Sequence, residues 1–449
     1  MRAHHLTPNV HLVYDWLQMK RIGMFVASVL LLLAAGATTV FSQQPLERSI
    51  IVFKEPLTTQ QKQELLTRYG ATFGKDLKLI NAAAVTLPTA IKARLAALPQ
   101  VARIDPDVEV EALERPEMPL GVEKQLEATS ICDWIPTWPG CTPIPTPTPT
   151  PTPSVAPTAT PTPTPTPVQA TASSQTTPWG VTRIGAPAAW SLSTGTGVKV
   201  AVVDTGIDTD HPDLAANLAG CVNFIQSWKT CEDDNGHGTH VSGIIAAEDN
   251  TLGVIGVAPN AKIYSLKVLD RRGRGYLSDI IEALDWSVTN GVQVVNMSLG
   301  TTADVQSFRD AVSRVNAAGI VQVAAAGNSG PGANTVNYPA KYQEVIAVTA
   351  TDSTDGIPSW SSRGPEVDIA APGASINSTY YRNTYKVLSG TSMASPHVAA
   401  TVALRLFLHP AETPAQLETL IESTATPLPF DPTLVGAGLV NAASVTSAP

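Results

Sequence analysis

Apolar residues along the chain form two periodic regions separated by a stretch with no periodicity. In the longer region, short runs that are apolar at almost every position (198–203, 261–268, 292–297, 320–326 and 345–350) alternate with helical segments such as 277–289 and 304–318. Strands apolar on both faces belong in a mostly parallel sheet with helices on each side. Residues 178–445 are therefore expected to form one large α/β domain. Upstream, 46–113 predicts a small α+β unit. Strand 49–53 is followed by a helix opened by Thr58, with Gln61 at capping-box spacing and Gly70 closing it. Strands 75–80 and 83–87, helix 89–98 and strand 101–110 follow. The order βαββαβ is ferredoxin-like and carries no function by itself.

The stretch between them, 114–177, includes a run from Pro143 to Pro167 that is largely Thr-Pro alternation. Proline removes backbone donors and fixes φ, so a disordered linker is expected. At ~3.1 Å per residue the run reaches roughly 75 Å. A spacer open to O-glycosylation fits it better than an SH3-type ligand, because no basic residue orients it. At the N-terminus, Lys20 and Arg21 precede the apolar run 22–41, the layout of a secretory signal. Met19 is the expected start, with 1–18 an upstream extension, and cleavage after Ser42 makes 1–42 the signal region. The same run is long enough to span a bilayer, at about 20 residues. A chain tethered through 22–41 is thus the alternative to free secretion.

Charged residues make up 15% of the chain and the net charge is −9. This balance gives no electrostatic ground for binding nucleic acid or anionic lipid, and a soluble extracellular monomer is the expectation. The cysteines form two close pairs, Cys132 with Cys141 and Cys221 with Cys231. Neither has C-x-x-C spacing, and an exported chain meets oxidising conditions. Two local disulfides are expected, with free thiols the alternative.

Three polar residues stand where chemistry is expected. Asp204 follows an apolar strand, His237 is flanked by Gly236 and Gly238, and Ser392 opens a helix reaching about Leu408. Singly, each has an ordinary reading: a turn residue, a structural or metal-bound histidine, an N-cap. His237 and His240 lack the i, i+4 spacing and glutamate of the helical zinc motif. Together the three supply an orienter, a base and a nucleophile whose oxyanion a helix N-terminus stabilises. Their chain order, Asp-His-Ser, is that of subtilisin rather than of α/β-hydrolases or chymotrypsin. No G-x-S-x-G elbow supports an esterase, and no failed position supports a non-catalytic binding protein.

Residues 178–445 resemble a subtilisin-like catalytic domain in VAVVDTGID around Asp204, NGHGTHVSG around His237 and GTSMASPHVAA around Ser392. The resemblance implies a serine endopeptidase acting on polypeptides through an acyl-enzyme, with His237 rather than His240 as base. The motif VAAAGNSG implies Asn328 as side-chain oxyanion donor, joined by the Ser392 N–H. It implies S1 walls from Ser298, Leu299, Gly300, Ala325, Ala326 and Gly327, with Asn337 at the pocket base where relatives carry glycine. Gly273, Arg274 and Gly275 would pair with the substrate backbone. Arg271, Arg272 and Arg274 either attract acidic residues upstream of the cut or form a solvated basic loop. A structural calcium site is implied at Gln175, Asp213, Glu248, Asn250, Leu252 and Val254. Residues 46–113 resemble the family's inhibitory propeptide, an intramolecular inhibitor released by a cut near Leu113. The Cys221–Cys231 stretch reads as a stapled insertion, and 114–177 as an extension that the mature enzyme either keeps or sheds.

Overall fold

The computed structural model describes residues 45–113 and 174–449. The signal region, Cys132, Cys141 and the Thr-Pro run lie outside the described residues. Strands β1 (Leu46–Phe53), β2 (Thr72–Leu77), β3 (Ala82–Pro88) and β4 (Val101–Pro106) form an antiparallel sheet in the order β2-β3-β1-β4. Helices Thr59–Arg68 and Lys92–Ala96 cover one face, closing a core around Ile51, Phe53, Leu66 and Leu87. Thr58 caps the first helix with a reciprocal box to Gln61, as its spacing predicts.

The last predicted strand, 101–110, is two strands. After β4 the chain turns at Asp107 and continues as β5 (Glu109–Ala112), which leaves the sheet. The buried Asp107 carboxylate holds this corner. It accepts from the Ser278 N–H and hydroxyl, both at 2.9 Å, and pairs with Arg48 at 2.7 Å. The predicted strand 75–80 is displaced as well, to β2 followed by a 3₁₀ turn at Lys78–Ile80.

The large domain contains β6 (Lys199–Asp204), β7 (Leu218–Asn223), β8 (Lys262–Lys267), β9 (Arg274–Tyr276), β10 (Val294–Met297), β11 (Leu299–Gly300), β12 (Val321–Ala325), β13 (Ile346–Thr351), β14 (Ile369–Pro372), β15 (Ile376–Tyr380) and β16 (Thr384–Leu388). A parallel seven-stranded sheet runs β14-β13-β12-β10-β6-β8-β7. All five predicted apolar runs are strands of it. The two that the pattern misses, β7 and β14, are its edges: LAGCVN and IAAP lack the long β-branched run. Cys221 lies within β7 and is bonded to Cys231, so the stretch read as an insertion contributes a strand to the sheet.

Helices His237–Ala246 and Thr391–Leu408 pack on one face of this sheet around Val241, Ile245, Val398 and Val402. On the other face lie Leu277–Thr289 and Gln306–Ala317. Their outer sides meet the small domain: Ile50, Val52, Leu77 and Val110 share one apolar cluster with Leu277, Ile281 and Phe308. Polar contacts border that interface. Lys75 pairs with Asp279 at 3.0 Å and with Glu282, and Arg103 pairs with Asp310. The large folded unit starts before residue 178, since Ser174 and Thr176 bridge to Leu252 and Val254.

At the β14 edge, Asp368 sits within reach of Glu418 and Glu422 on helix Pro414–Ser423. Burial foremost, and then the two glutamates, push its carboxyl up to about 7. The folded state therefore keeps up to about pH 7 a proton that the unfolded chain releases at about pH 4, and stability falls as pH rises through that window. Asp368→Asn is expected to be more stable than its parent by roughly 1–3 kcal/mol at pH 9, the difference vanishing below pH 4. Urea unfolding of a Ser392→Ala background at the two pH values checks this; an equal effect at both would reject it.

Candidate active site

The expected site residues meet at the carboxyl ends of the central parallel strands, where clefts of open α/β sheets form. Asp204 ends β6, Ser298 follows β10, and Asn328 follows β12. His237 is the first residue of its helix and Ser392 the second of its own. His237 Nδ1 lies 2.8 Å from Asp204 Oδ1, and both side chains are buried. The same carboxylate oxygen accepts the Thr205 N–H at 2.7 Å. Held this way, the imidazole has a fixed tautomer, with the proton on Nδ1 and Nε2 as the basic nitrogen.

A residue absent from the sequence reading positions this pair. Gly236 caps the His237 helix without a side chain, and Asp233 supplies one. Its Oδ1 accepts from the Asn235 and Gly236 N–H groups at 3.0 and 2.9 Å and from the Thr205 hydroxyl at 2.9 Å. Its Oδ2 accepts from the Thr239 N–H at 2.9 Å and hydroxyl at 2.6 Å. One buried carboxylate thus ties the turn after Asp204 to the helix carrying His237. The available signal was an aspartate three residues ahead of a helix-opening glycine. His240, one turn further on, gives its Nε2 to the Ile376 and Lys386 carbonyls at 3.0 Å, and burial pushes it down to about 3. It stays neutral and holds the β15–β16 hairpin.

Strand β5 lies in the cleft. It pairs antiparallel with β9 on one side (Val110 opposite Gly275) and with β11 on the other (Ala112 opposite Leu299). The Ala112 N–H donates to the Gly273 carbonyl at 2.9 Å, and the Leu113 N–H to the Ser298 carbonyl at 3.3 Å. Leu113 is 6% exposed. A Cβ on Gly300 would stand 3.1 Å from both Leu113 Cδ1 and Asn337 Cβ, so the glycine leaves room for that side chain. A Cβ on Gly327, where φ is +119°, would likewise stand 3.1 Å from the Asn337 amide, and the Asn337 N–H donates to the Ala326 carbonyl at 2.8 Å. Ala325 and Ala326 are buried behind this wall. Asn337 thus closes the pocket in which Leu113 sits.

The Leu113 carbonyl accepts from Asn328 Nδ2 at 2.6 Å. Thr391 fixes that amide, since its N–H and hydroxyl donate to Asn328 Oδ1 at 3.0 and 3.1 Å and leave the nitrogen facing the cleft. The Ser392 N–H, expected as second donor, makes no hydrogen bond to this carbonyl among the described residues. A planar carbonyl oxygen does not occupy the position that the tetrahedral oxyanion will take. The Ser392 hydroxyl donates to the Ser298 carbonyl at 2.9 Å, the same acceptor that takes the Leu113 N–H.

Five of the expected metal ligands, Gln175, Asp213, Glu248, Asn250 and Val254, also converge, while Leu252 turns its N–H to Asn250 Oδ1 at 2.6 Å. Gln175 Nε2 lies 2.6 Å from the Glu248 carbonyl and 3.2 Å from that of Val254. Asn250 Nδ2 and the Val254 N–H donate to Asp213 at 2.9 Å, and Tyr385 to it at 3.2 Å. Glu248 faces the site by its backbone alone, because its carboxylate accepts the Ala216 N–H at 2.8 Å. Asp213 is fully buried, and burial foremost pushes its carboxyl above the usual range. A buried carboxylate that no Lys or Arg pairs with among the described residues, close to the Glu248 and Val254 carbonyls that meet at the Gln175 amide, fits a hard cation.

The subtilase family profile, peptidase S8, matches residues 195–440, more than half of the 449-residue chain. The chain is 48% identical over 274 residues to the thermostable alkaline protease of Halalkalibacterium halodurans, covering 61% of this chain and 74% of that one. It is 46% identical over 274 residues to subtilisin BL of Lederbergia lenta, 61% of this chain and 100% of the relative. To subtilisin E of Bacillus subtilis it is 47% identical over 272 residues, 60% and 71% of the two chains. The matched span takes in the strand that ends in Asp204, the helix that begins with His237 and the one that holds Ser392, and so the chain belongs to the subtilase family of serine endopeptidases.

Proposed function

We propose that this chain is a secreted, self-processing zymogen in which Asp204, His237 and Ser392 are the catalytic triad and residues 46–113 the inhibitory pro-domain. The observation that carries the reading is the Leu113 carbonyl on Asn328 Nδ2, at the end of a strand paired on both edges beside Ser392. That is the placement of an acyl group before or after transfer. Leu113 then fills S1, Val110 is buried as the fourth residue upstream, and the exposed Glu109 and Glu111 face outward.

In the forward reaction the Ser392 hydroxyl turns from the Ser298 carbonyl to His237 Nε2 and attacks the peptide carbonyl carbon. His237 takes the proton while Asp204 holds Nδ1–H and stabilises the imidazolium. Negative charge gathers on the former carbonyl oxygen against Asn328 and the N-terminus of the Ser392 helix. His237 next protonates the leaving amine, and the C–N bond breaks. Water then gives a proton to His237 and attacks the ester, and Ser392 leaves with that proton. Applied to the chain's own bond after Leu113, the sequence cuts 46–113 from the rest; β5 and the Asp107 corner hold it in the cleft as an inhibitor until it leaves, and peptide hydrolysis begins then. The signal region 1–42 supports export, with the tether through 22–41 as the alternative outcome; among the described residues no helix is long and apolar enough to cross a membrane.

Calcium is proposed at Gln175, Asp213, Glu248, Asn250, Leu252 and Val254. Gln175 can present its amide oxygen by a 180° turn, and when bound the ion neutralises Asp213 and pins residues 248–254 to the N-terminal segment.

Three outcomes are expected. On expression the wild type loses the chain through Leu113 and hydrolyses peptides, while Ser392→Ala keeps the 113–114 bond and is inert. Intact mass reads both, and a folded wild type that stays whole and inactive sinks the proposal. Asn328→Ala lowers kcat about 10²–10³-fold with little change in KM, the loss measured for this donor in subtilisin itself; steady-state kinetics on one peptide test it. Chelation lowers the unfolding free energy, by about 2.7 kcal/mol relative to calcium at a hundred times its Kd. Asp213→Asn should abolish that difference in thermal melts, and an unchanged response to chelator would remove the calcium assignment.

A further inference from the structure

The sequence places Arg271, Arg272 and Arg274 in one turn beside the cleft and leaves them equivalent. Their surroundings separate them. Arg272 faces Asp270 at 4.0 Å. Arg271 gives its carbonyl to Asn235 Nδ2 at 3.2 Å, and it lines a different groove, with Trp228 and Lys229. Arg274 reaches the inserted strand: its Nη1 lies 3.1 Å from Glu109 Oε1. The turn that presents it is fixed by Asp270, whose Oδ1 accepts the Arg272 and Arg274 N–H groups at 2.8 and 3.1 Å.

Register decides which substrate position this arginine meets. Arg274 stands opposite Glu111, and Glu109 lies opposite Tyr276, two residues along. The guanidinium passes over its direct partner to the diagonal one, a reach that long side chains on one face of a sheet have. Glu111 forms no ion pair among the described residues. Backbone pairing with β9 and β11 supplies affinity without selecting side chains, so charge discrimination at this rim falls to Arg274.

We propose that Arg274 is a specificity-determining residue that selects an acidic side chain at P5, the fifth residue upstream of the cut. The favoured substrates are then extended peptides carrying Asp or Glu five residues before the scissile bond. The position is counted from a cut after Leu113 and so rests on the peptidase reading above. Both side chains are about half exposed, 59% for Arg274 and 49% for Glu109. An exposed pair supports a preference of about 2- to 5-fold, and salt screens it.

The test uses the full chain, left to process itself, on quenched peptides ending Xaa-Val-Ala-Ala-Leu before the cut, with Glu, Gln or Lys at Xaa. The expected result is kcat/KM about 2- to 5-fold higher for Glu than for Lys at low salt, with the gap closing in 1 M NaCl. Arg274→Gln should remove the difference and Arg274→Glu reverse it. Glutamate moved to P3 should give a smaller preference than at P5. Equal rates for Glu and Lys with brisk cleavage of the Gln peptide would overturn the inference and leave the peptidase reading standing. So would a preference that survives Arg274→Gln. Failure to cleave any of the peptides would overturn the peptidase reading, and this inference with it.

Discussion

The organising constraint is the burial of a seven-stranded parallel sheet on both faces. Helices cover both surfaces, so polar side chains can gather only where strands end. β6, β10 and β12 are adjacent in that sheet, and their carboxyl ends deliver Asp204, Ser298 and Asn328 side by side. None of these groups needs a specialised fold of its own. Each is the first polar residue, or nearly so, after an apolar strand that has no freedom to slide.

Carboxylates placed at helix starts convert that arrangement into fixed geometry. Asp233 binds five donors between the Asp204 turn and the His237 helix. Asp107 and Asp105 of the small domain do the same for helices of the large one, through Ser278 and Ser307. Hydrogen bonds to charged groups contribute about 1.5–3 kcal/mol each where they are buried, and helix N-termini add the favourable end of the dipole. The docking of the small domain therefore joins an apolar cluster to two carboxylates, Asp107 accepting the Ser278 N–H and hydroxyl and Asp105 the Ser307 hydroxyl. The inserted strand is a continuation of that docking, because β5 starts two residues after Asp107.

Much of this was legible beforehand. Periodicity alone located the five central strands and helix Leu277–Thr289, because long apolar runs have few other solutions. The motifs around Asp204, His237, Ser392 and Asn328 named the residues that the fold brings together. Periodicity did not find β7 or β14, since edge strands carry weaker patterns. It ran β4 and β5 together, since both are extended and the turn between them depends on Ser278 and Arg48, which are remote in sequence.

The sequence by itself determined the α/β class, the two folded regions with the proline-rich stretch between them, and the chemical types available for catalysis, because these follow from local pattern and composition. The tertiary structure alone decided where each group stands. Asp233 reaching back to the Thr205 turn after Asp204, Thr391 as the group that turns Asn328 toward the cleft, Glu248 presenting its carbonyl to Gln175, and Arg274 rather than its neighbours meeting Glu109 all depend on contacts between segments far apart in the chain. Such contacts are set by packing and register across elements, and no window along the sequence contains both partners.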